Sequence, residues 1–363
     1  MTTPTPSCTP SATSRRRRRI ADLHAAAYCD NPDAELYAVC DIAEDTARRR
    51  AEEWGASRWF TDYRQLLADN PLDAVEILTP HHLHAEMAVA ALEAGKHVAL
   101  QKPHTLNLTE MDQVIAAAQR SGKLFRGCDN FLYYPPYNKA RQLMDEGAIG
   151  EPISFRVKVL GGSPRGGWPV PAKTWQWHLK EGQSGRGLTV FDHGVHICAL
   201  AIYFLGPVDK VFAWIERREV WPGIVLDSPA TVIWKHSEGM RYGMWDAIAS
   251  PELVIRTKYY GGDEWVEITG SRGVIWVNRC SGEMLEGPAL VLYRDGETRA
   301  FHDLETDWGV SFVRQGQDFV AAIREGRPCT LTGPEARRVL QFNLAVHRSA
   351  QEERPVLVDE IVD

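Results

Sequence analysis

Along the first third of the chain, apolar positions come in short runs separated by stretches of helical spacing. Leu36–Asp41 (Leu-Tyr-Ala-Val-Cys-Asp) reads as a short buried strand ending in an acid, and Asp45–Trp54 as a helix stopped by Gly55. Ala74–Leu78, bounded by Asp73 and Thr79-Pro80, reads as a second strand. Leu83–Ala94 places Leu83, Met87, Ala90 and Ala91 on one helical face and stops at Gly95. His97–Leu100 is a third strand, Glu110–Gln119 a helix capped by Thr109 and closed near Gly122, and Leu124–Gly127 a further strand. Strand and helix alternate in steps of about 25 residues, the signature of a parallel βαβ sheet.

The pattern changes after residue 128. Tyr137–Glu146 predicts one more helix, ending at Gly147. Runs rich in Val, Ile, Trp and Tyr follow: Ile153–Leu160, Lys210–Glu219, Ala230–His236, Tyr242–Ile248, Leu253–Thr257, Trp265–Thr269, Val274–Val277 and Leu290–Tyr293. Turns such as Ser237-Glu238-Gly239 and Arg294-Asp295-Gly296 separate several of them, so a mostly antiparallel sheet is expected. His193–Leu205 interrupts it as a helix, and Phe312–Arg324 and Pro334–Ala350 close the chain as two more. The expected fold class is α/β. A Rossmann-like parallel sheet domain spans 20–128, with its first strand in question. An α+β substrate and oligomerisation domain with a large open antiparallel sheet spans 129–363.

Composition narrows the function classes. A chain of 363 residues suggests about two domains. Its 44% hydrophobic content provides a sizeable core, and a net charge of -7 argues against nucleic acid as a partner. Seven cysteines without a Cys-x-x-Cys pair suit a reduced, cytoplasmic setting, and no run of eighteen apolar residues suggests a membrane helix. Residues 1–19 read as a disordered tail: Met1–Ser14 is almost all Thr, Pro, Ser and Ala, and Arg15–Arg19 follow. Ile20–Tyr28 carries Asp22 and His24 and is too short and polar for an export signal.

The chemistry gathers at the ends of these elements. Lys102, in Gln101-Lys102-Pro103, leaves a buried strand at the edge where parallel sheets bind ligands, and a cis bond at Pro103 would fix its backbone. Asp192 and His196 stand four apart at the start of an apolar helix and would share one face. Lys102, Asp192 and His196 together suit proton transfer at a hydroxyl while a cofactor handles the hydride. Asp41, ending its strand, is placed to bind an adenosine ribose, and Thr79, Pro80 and His84 follow the next strand into the same crevice. Trp175 and Trp177 are candidates to line a sugar pocket, with Arg165 and His178 as weaker ones. His81, His82 and His84 lack the spacing of a metal site.

With these residues in view, the chain from Ile20 to its end resembles the Gfo/Idh/MocA family of NAD(P)-dependent oxidoreductases. Residues 79–103 are similar to the family's stretch ending in Glu-Lys-Pro, 130–152 to its domain junction, 175–196 to its Asp-x-x-x-His substrate motif, and 332–356 to its C-terminal helix. The resemblance implies that Lys102 and His196 are catalytic, with Asp192 binding the substrate hydroxyls. It implies that Asp41, Thr79, Pro80, His84, Gln101 and Lys102 face NAD. NADP stays open because Arg48–Arg50 lie near Asp41. It further implies oxidation or reduction of a secondary alcohol of a sugar, glycoside or cyclitol, by a homodimer or homotetramer built through the antiparallel sheet, with no metal and no membrane partner. An NAD-assisted glycoside-cleaving enzyme and a cofactor-deficient sugar sensor or scaffold are the alternatives.

Two departures from the family's pattern stand out. Gln101 replaces the usual Glu. In place of the first strand and Gly-x-Gly-x-x-[Gly/Ala] turn, expected at about residues 10–21, stand Arg15–Arg19, which neither a buried strand nor a pyrophosphate turn accommodates. Valine and glycine codons rich in G and C become arginine codons when read out of register, so a frameshifted first strand is one origin for the tract.

Overall fold

Capped helices and short apolar runs build the first region much as their spacing predicts. The computed structural model describes residues 20–29, 31–168, 177, 178, 180–221 and 224–363. The tail 1–19 with Arg15–Arg19, and Trp175, lie outside the described residues. The order is α1 (Ile20–Cys29), β1 (Ala38–Cys40), α2 (Glu44–Trp54), β2 (Arg58–Phe60), α3 (Tyr63–Leu67), β3 (Ala74–Ile77), α4 (His84–Glu93), β4 (His97–Leu100), α5 (Leu108–Ser121) and β5 (Phe125–Gly127). Gly55 and Gly122 end α2 and α5 at φ 75° and 65°, a left-handed backbone that glycine takes without steric cost.

Three differences from the sequence pattern have local causes. The cap of α5 is Asn107, whose side chain accepts the Glu110 N–H, while Glu110 returns to Asn107 and to the Leu106 N–H. Thr109 therefore lies inside the first turn, and its hydroxyl reaches Asp363. β2 escaped notice because two of its three residues, Arg58 and Trp59, are exposed and form no apolar run. Every pairing in this region is parallel, but the strands fall into two sheets, β1–β2 and β3–β4–β5.

The second region follows through α6 (Pro135–Asp145), β6 (Pro152–Arg165), α7 (Gly194–Leu205), β7 (Val208–Ile215), β8 (Arg218–Trp221), β9 (Ile224–Leu226), β10 (Ala230–His236), β11 (Tyr242–Arg256), β12 (Gly262–Gly270), β13 (Gly273–Val277), β14 (Leu290–Arg294) and β15 (Glu297–Phe301). It closes with α8 (Trp308–Glu325), α9 (Gly333–Glu352) and β16 (Val356–Leu357). Nine strands form one sheet in the order β15-β14-β13-β12-β6-β11-β10-β7-β16, antiparallel except for the central β6–β11 pair. Strict alternation does this work: in β10, Ala230, Val232, Trp234 and His236 face inward while Ile233 and Lys235 face out. The two runs expected at 242–248 and 253–257 are one long strand, β11, interrupted by an irregularity between Ala249 and Val254 where Pro251 sits. The run expected at 210–219 divides into β7 and β8.

Beneath this sheet Phe155, Phe204, Trp234 and Phe342 interlock at ring separations of 5.5–6.2 Å. Gly182–Leu205 is long and apolar enough to cross a membrane, but 67% of its most apolar window is buried here, as befits a core helix. The six described cysteines are free.

Candidate active site

The site begins where β4 stops. Leu100 is buried, and the chain then turns through Gln101 and Lys102 into a cis bond at Pro103. His84, the first residue of α4, is fully buried with its two ring nitrogens 2.8 and 2.9 Å from the carbonyl oxygens of Pro103 and Thr79. It ties the exits of β3 and β4 together. Both of its ring nitrogens are thus taken up by backbone.

Lys102 extends across the cleft to the second region. Its Nζ donates to Asp192 Oδ2 and to the Asp192 carbonyl, both at 3.1 Å. Asp192 does not belong to α7. It sits in a wider, π-type turn, Leu188–His193, with its N–H bonded to the Gly187 carbonyl five residues back. The face shared by Asp192 and His196 in a regular α-helix is therefore altered. Two neighbours hold the turn. Asp227 accepts the N–H groups of Thr189 and Val190, and Asn343 from α9 donates to the Val190 and Phe191 carbonyls. At Gly187, φ is 138° and a Cβ would come within 2.5 Å of the Asp227 carboxylate, so only glycine fits.

His81 completes the near cluster. Its Nδ1 donates to the Ser184 carbonyl at 2.9 Å, and its Nε2 lies 3.3 Å from Asp192 Oδ1. Trp177 packs edge-on against His81 at 4.8 Å and close against His178 at 3.6 Å. Burial raises the Asp192 carboxyl, but Lys102, His81 and His178 outweigh it and hold it well below the usual carboxylate range. Burial pushes His81 down to about 4 despite the Asp192 charge. The ligand atoms of His81, His178 and Asp192 lie within 4.8 Å of one another, close enough to hold a cation, although Lys102 already neutralises the carboxylate.

Behind this cluster stands His196. Its ring is 4% exposed, stacks on Phe131 at 4.1 Å, and donates from Nδ1 to Asp129 Oδ1 at 2.7 Å. A carboxylate only accepts, so this bond fixes the tautomer and leaves the lone pair of the neutral ring on Nε2. Burial lowers the His196 pKa, Lys102 and His193 lower it further, and Asp129 opposes them. His193 lies 3.1 Å from Glu264, an acid buried in β12. Burial raises the Glu264 carboxyl, but His193 and Ser281 bring it below its usual range.

The structure thus brings Lys102, Asp192 and Trp177 together and sets His196 behind them. Sequence reasoning missed Asp129 and Glu264. Asp129 carried a usable signal, since it follows β5 at the same carboxyl edge that drew notice to Lys102. Glu264 carried only the oddity of an acid in an apolar strand.

On the cofactor side, Asp41 follows β1 and accepts the Ala43 N–H at 2.9 Å. Asp41, Thr79 and Pro80 line one cavity, and the Thr79 hydroxyl is buried without a hydrogen-bond partner among the described residues. An orphaned hydroxyl and an acid lining one cavity at the carboxyl edge suit the ribose and amide groups of a dinucleotide. Gln101 turns inward instead: its amide nitrogen lies 3.1 Å from His24 Nε2, and its oxygen accepts the Lys102 N–H. His24 in turn meets Glu76 at 2.8 Å.

Comparison with known proteins places the chain. The sequence profile described as "Oxidoreductase family, NAD-binding Rossmann fold" matches residues 18–127, and that described as "GFO/IDH/MocA C-terminal domain" matches 137–276. Myo-inositol 2-dehydrogenase of Thermotoga maritima is 25% identical, with 95% of this chain and 97% of the relative aligned. D-glucoside 3-dehydrogenase of Escherichia coli is 32% identical over 52% of each chain. An oxidoreductase from Agrobacterium radiobacter, solved with NAD+, L-tartaric acid and magnesium, superposes with a TM-score of 0.80 at 19% identity, covering 94% of this chain and 96% of that one, which speaks to fold alone.

Proposed function

The chain belongs to the Gfo/Idh/MocA family of oxidoreductases, and on that premise we propose that it oxidises a secondary alcohol of a sugar, glycoside or cyclitol, or reduces the matching ketone. The observation that carries this reading is the Lys102–Asp192 pair at 3.1 Å with the His196–Asp129 pair beside it. Asp192 accepts from a substrate hydroxyl. Lys102 donates to the reacting oxygen and stabilises it as its proton leaves. His196 takes that proton on Nε2, and Asp129 holds the ring in the tautomer that permits it. Trp177 offers an apolar face to a sugar ring. When bound, the nicotinamide cofactor supplies the hydride acceptor. Asp41 favours NAD over NADP because its carboxylate accepts from ribose hydroxyls and repels a phosphate.

The relatives point to a cyclic polyol or a glucoside. A homo-oligomer formed through the nine-stranded sheet is part of the reading, because that sheet leaves Trp214 57%, Val254 61% and Tyr242 53% exposed. A reduced, cytoplasmic setting agrees with six free cysteines.

The test is NADH formation followed by absorbance, with inositols and glucosides offered in turn. Stoichiometric NADH from one of them, abolished in Lys102→Met, is expected. Glycoside cleavage without net NADH would instead favour transient oxidation by a retained cofactor. Absence of both reactions, in a preparation that binds NADH, would remove the oxidoreductase reading.

A further inference from the structure

Among the described residues, three side chains able to bind a metal ion meet at the seam between the two regions. They are His81, His178 and Asp192, whose ligand atoms lie within 4.8 Å of one another. The run His81-His82-Leu83-His84 has no metal spacing by itself, and folding supplies its partners from two later stretches.

The hydrogen bonds of this cluster leave one contact unexplained. His81 Nδ1 donates to the Ser184 carbonyl at 2.9 Å, and a carbonyl only accepts. A neutral imidazole carries one hydrogen, so Nε2 presents a lone pair. That lone pair lies 3.3 Å from Asp192 Oδ1, which is also an acceptor. Two acceptors face each other at a loss unless something positive stands between them. Lys102 does not stand there: its Nζ bonds to the other carboxylate oxygen, Oδ2, and to the Asp192 carbonyl. The separation is itself informative, because ligands held about 2 Å from a tetrahedral ion stand roughly 3.3 Å apart.

The neighbours of the cluster hold it ready. Ser184 is buried and anchors both histidines, taking the His81 N–H on its carbonyl and donating its hydroxyl to the His178 carbonyl at 2.7 Å. Ligating histidines commonly give their second nitrogen to a carbonyl in this way, which fixes the tautomer and the ring. The two imidazoles stand at 90° with centroids 5.7 Å apart, and Trp177 lies edge-on to His81 as an apolar wall.

The geometry points to a divalent transition-metal site on His81 Nε2, an imidazole nitrogen of His178 and Asp192 Oδ1, of the kind that takes zinc. Two imidazoles and one carboxylate suit Zn²⁺ and suit Mg²⁺ or Ca²⁺ poorly, since those ions prefer oxygen ligands. Three protein ligands leave a position open to an oxygen of a bound molecule. On the dehydrogenase reading that oxygen is a hydroxyl of the polyol, held beside Lys102; binding of the ion does not depend on that reading. The ion and the Lys102 ammonium repel each other, so the two compete for Asp192.

The test reads metal binding without cofactor or substrate. The full chain, stripped with a chelator, is titrated with ZnCl₂ by calorimetry and with CoCl₂ by visible absorbance. One ion per chain is expected, with a Co²⁺ band that zinc abolishes. His178→Gln should weaken zinc binding by more than about tenfold, and Lys102→Met should strengthen it by about tenfold, with circular dichroism unchanged in both. Should His178→Gln unfold, the Lys102→Met result alone decides. Failure to take up zinc would overturn the inference and make His81 and Asp192 a plain ion pair. Zinc binding that stays the same in Lys102→Met, or in a folded His178→Gln, would place the ion elsewhere and overturn it too. Zinc uptake without NADH formation from any polyol supports the site and counts against the dehydrogenase reading, so the two fail separately.

Discussion

The two regions of this molecule handle the same problem differently. The nine-stranded sheet of the second region is continuous, and strands such as β10 and β13 alternate buried and more open positions along their length. The first region has equally clear strands and equally good helix stops, yet its five strands divide into groups of two and three. An antiparallel sheet assembled strand by strand tolerates the identity of any one member. A parallel sheet wound from a central strand does not, because its halves grow outward from that strand and touch only through it. The proposed catalytic cluster sits on the seam between regions: Lys102 and His81 come from the first, Asp192, Trp177 and His196 from the second.

The largest effect is expected at that seam. Lys102→Met removes the group that neutralises Asp192 and that, in the proposed reaction, faces the reacting oxygen. Oxidation measured as kcat/KM should fall by about 10²–10⁴-fold with the fold intact by circular dichroism. A fall below about tenfold would move the proton chemistry away from this cluster.

Matched truncations would sharpen the contrast between the sheets. Ile268, fully buried in β12, should cost about 2–5 kcal/mol on replacement by Ala in urea unfolding. Val39→Ala in the half-buried β1 should cost under about 1 kcal/mol. Equal costs would mean that the β1 edge is as well packed as the continuous sheet.

Acid should weaken the first region in two stages. Burial depresses His81 and His104 from the usual 6.5 to about 4, so the unfolded chain binds protons more readily than the folded one. Stability from these two rings is present above about pH 6.5 and is lost as pH falls toward about 4. Glu76 works from the other direction. Burial raises it, but His24 and Arg126 prevail and bring it from 4.5 to about 2, so its contribution disappears only as pH falls below 4.5 toward 2. Thermal melts across this range, repeated on His104→Asn, should show the upper stage shrink and the lower one persist.

The smallest effect concerns the outer face of the continuous sheet. Trp214→Ser should change monomer stability by no more than about 0.5 kcal/mol while lowering the mass measured by light scattering. An unchanged mass would leave that face without a partner copy.

Much of this was legible in the chain. The βαβ alternation, the stops at Gly55 and Gly122, and the inward alternation of β10 follow from periods of 3.6 and 2, which are local properties. Lys102 stood out because a charged side chain leaving an apolar strand has few structural uses. Other features depended on docking. Asp192 read as the first turn of a helix, but Asp227 and Asn343 spread that turn into a wider one. His84 and Gln101 each hold a partner within the protein that no spacing rule reveals. β2 was invisible because an exposed Arg-Trp-Phe strand has no apolar signature.

By itself, the sequence determined the class of fold, the position of the ligand edge, the lysine that marks it, and the incompatibility of Arg15–Arg19 with a buried strand. These rest on short-range patterns and on the cost of burying charge. The tertiary structure alone decided that Lys102 meets an acid 90 residues away and that Asp129 stands behind His196. Contacts at such separations depend on how whole elements dock, and docking is set by the summed packing of many side chains rather than by any one stretch of the chain.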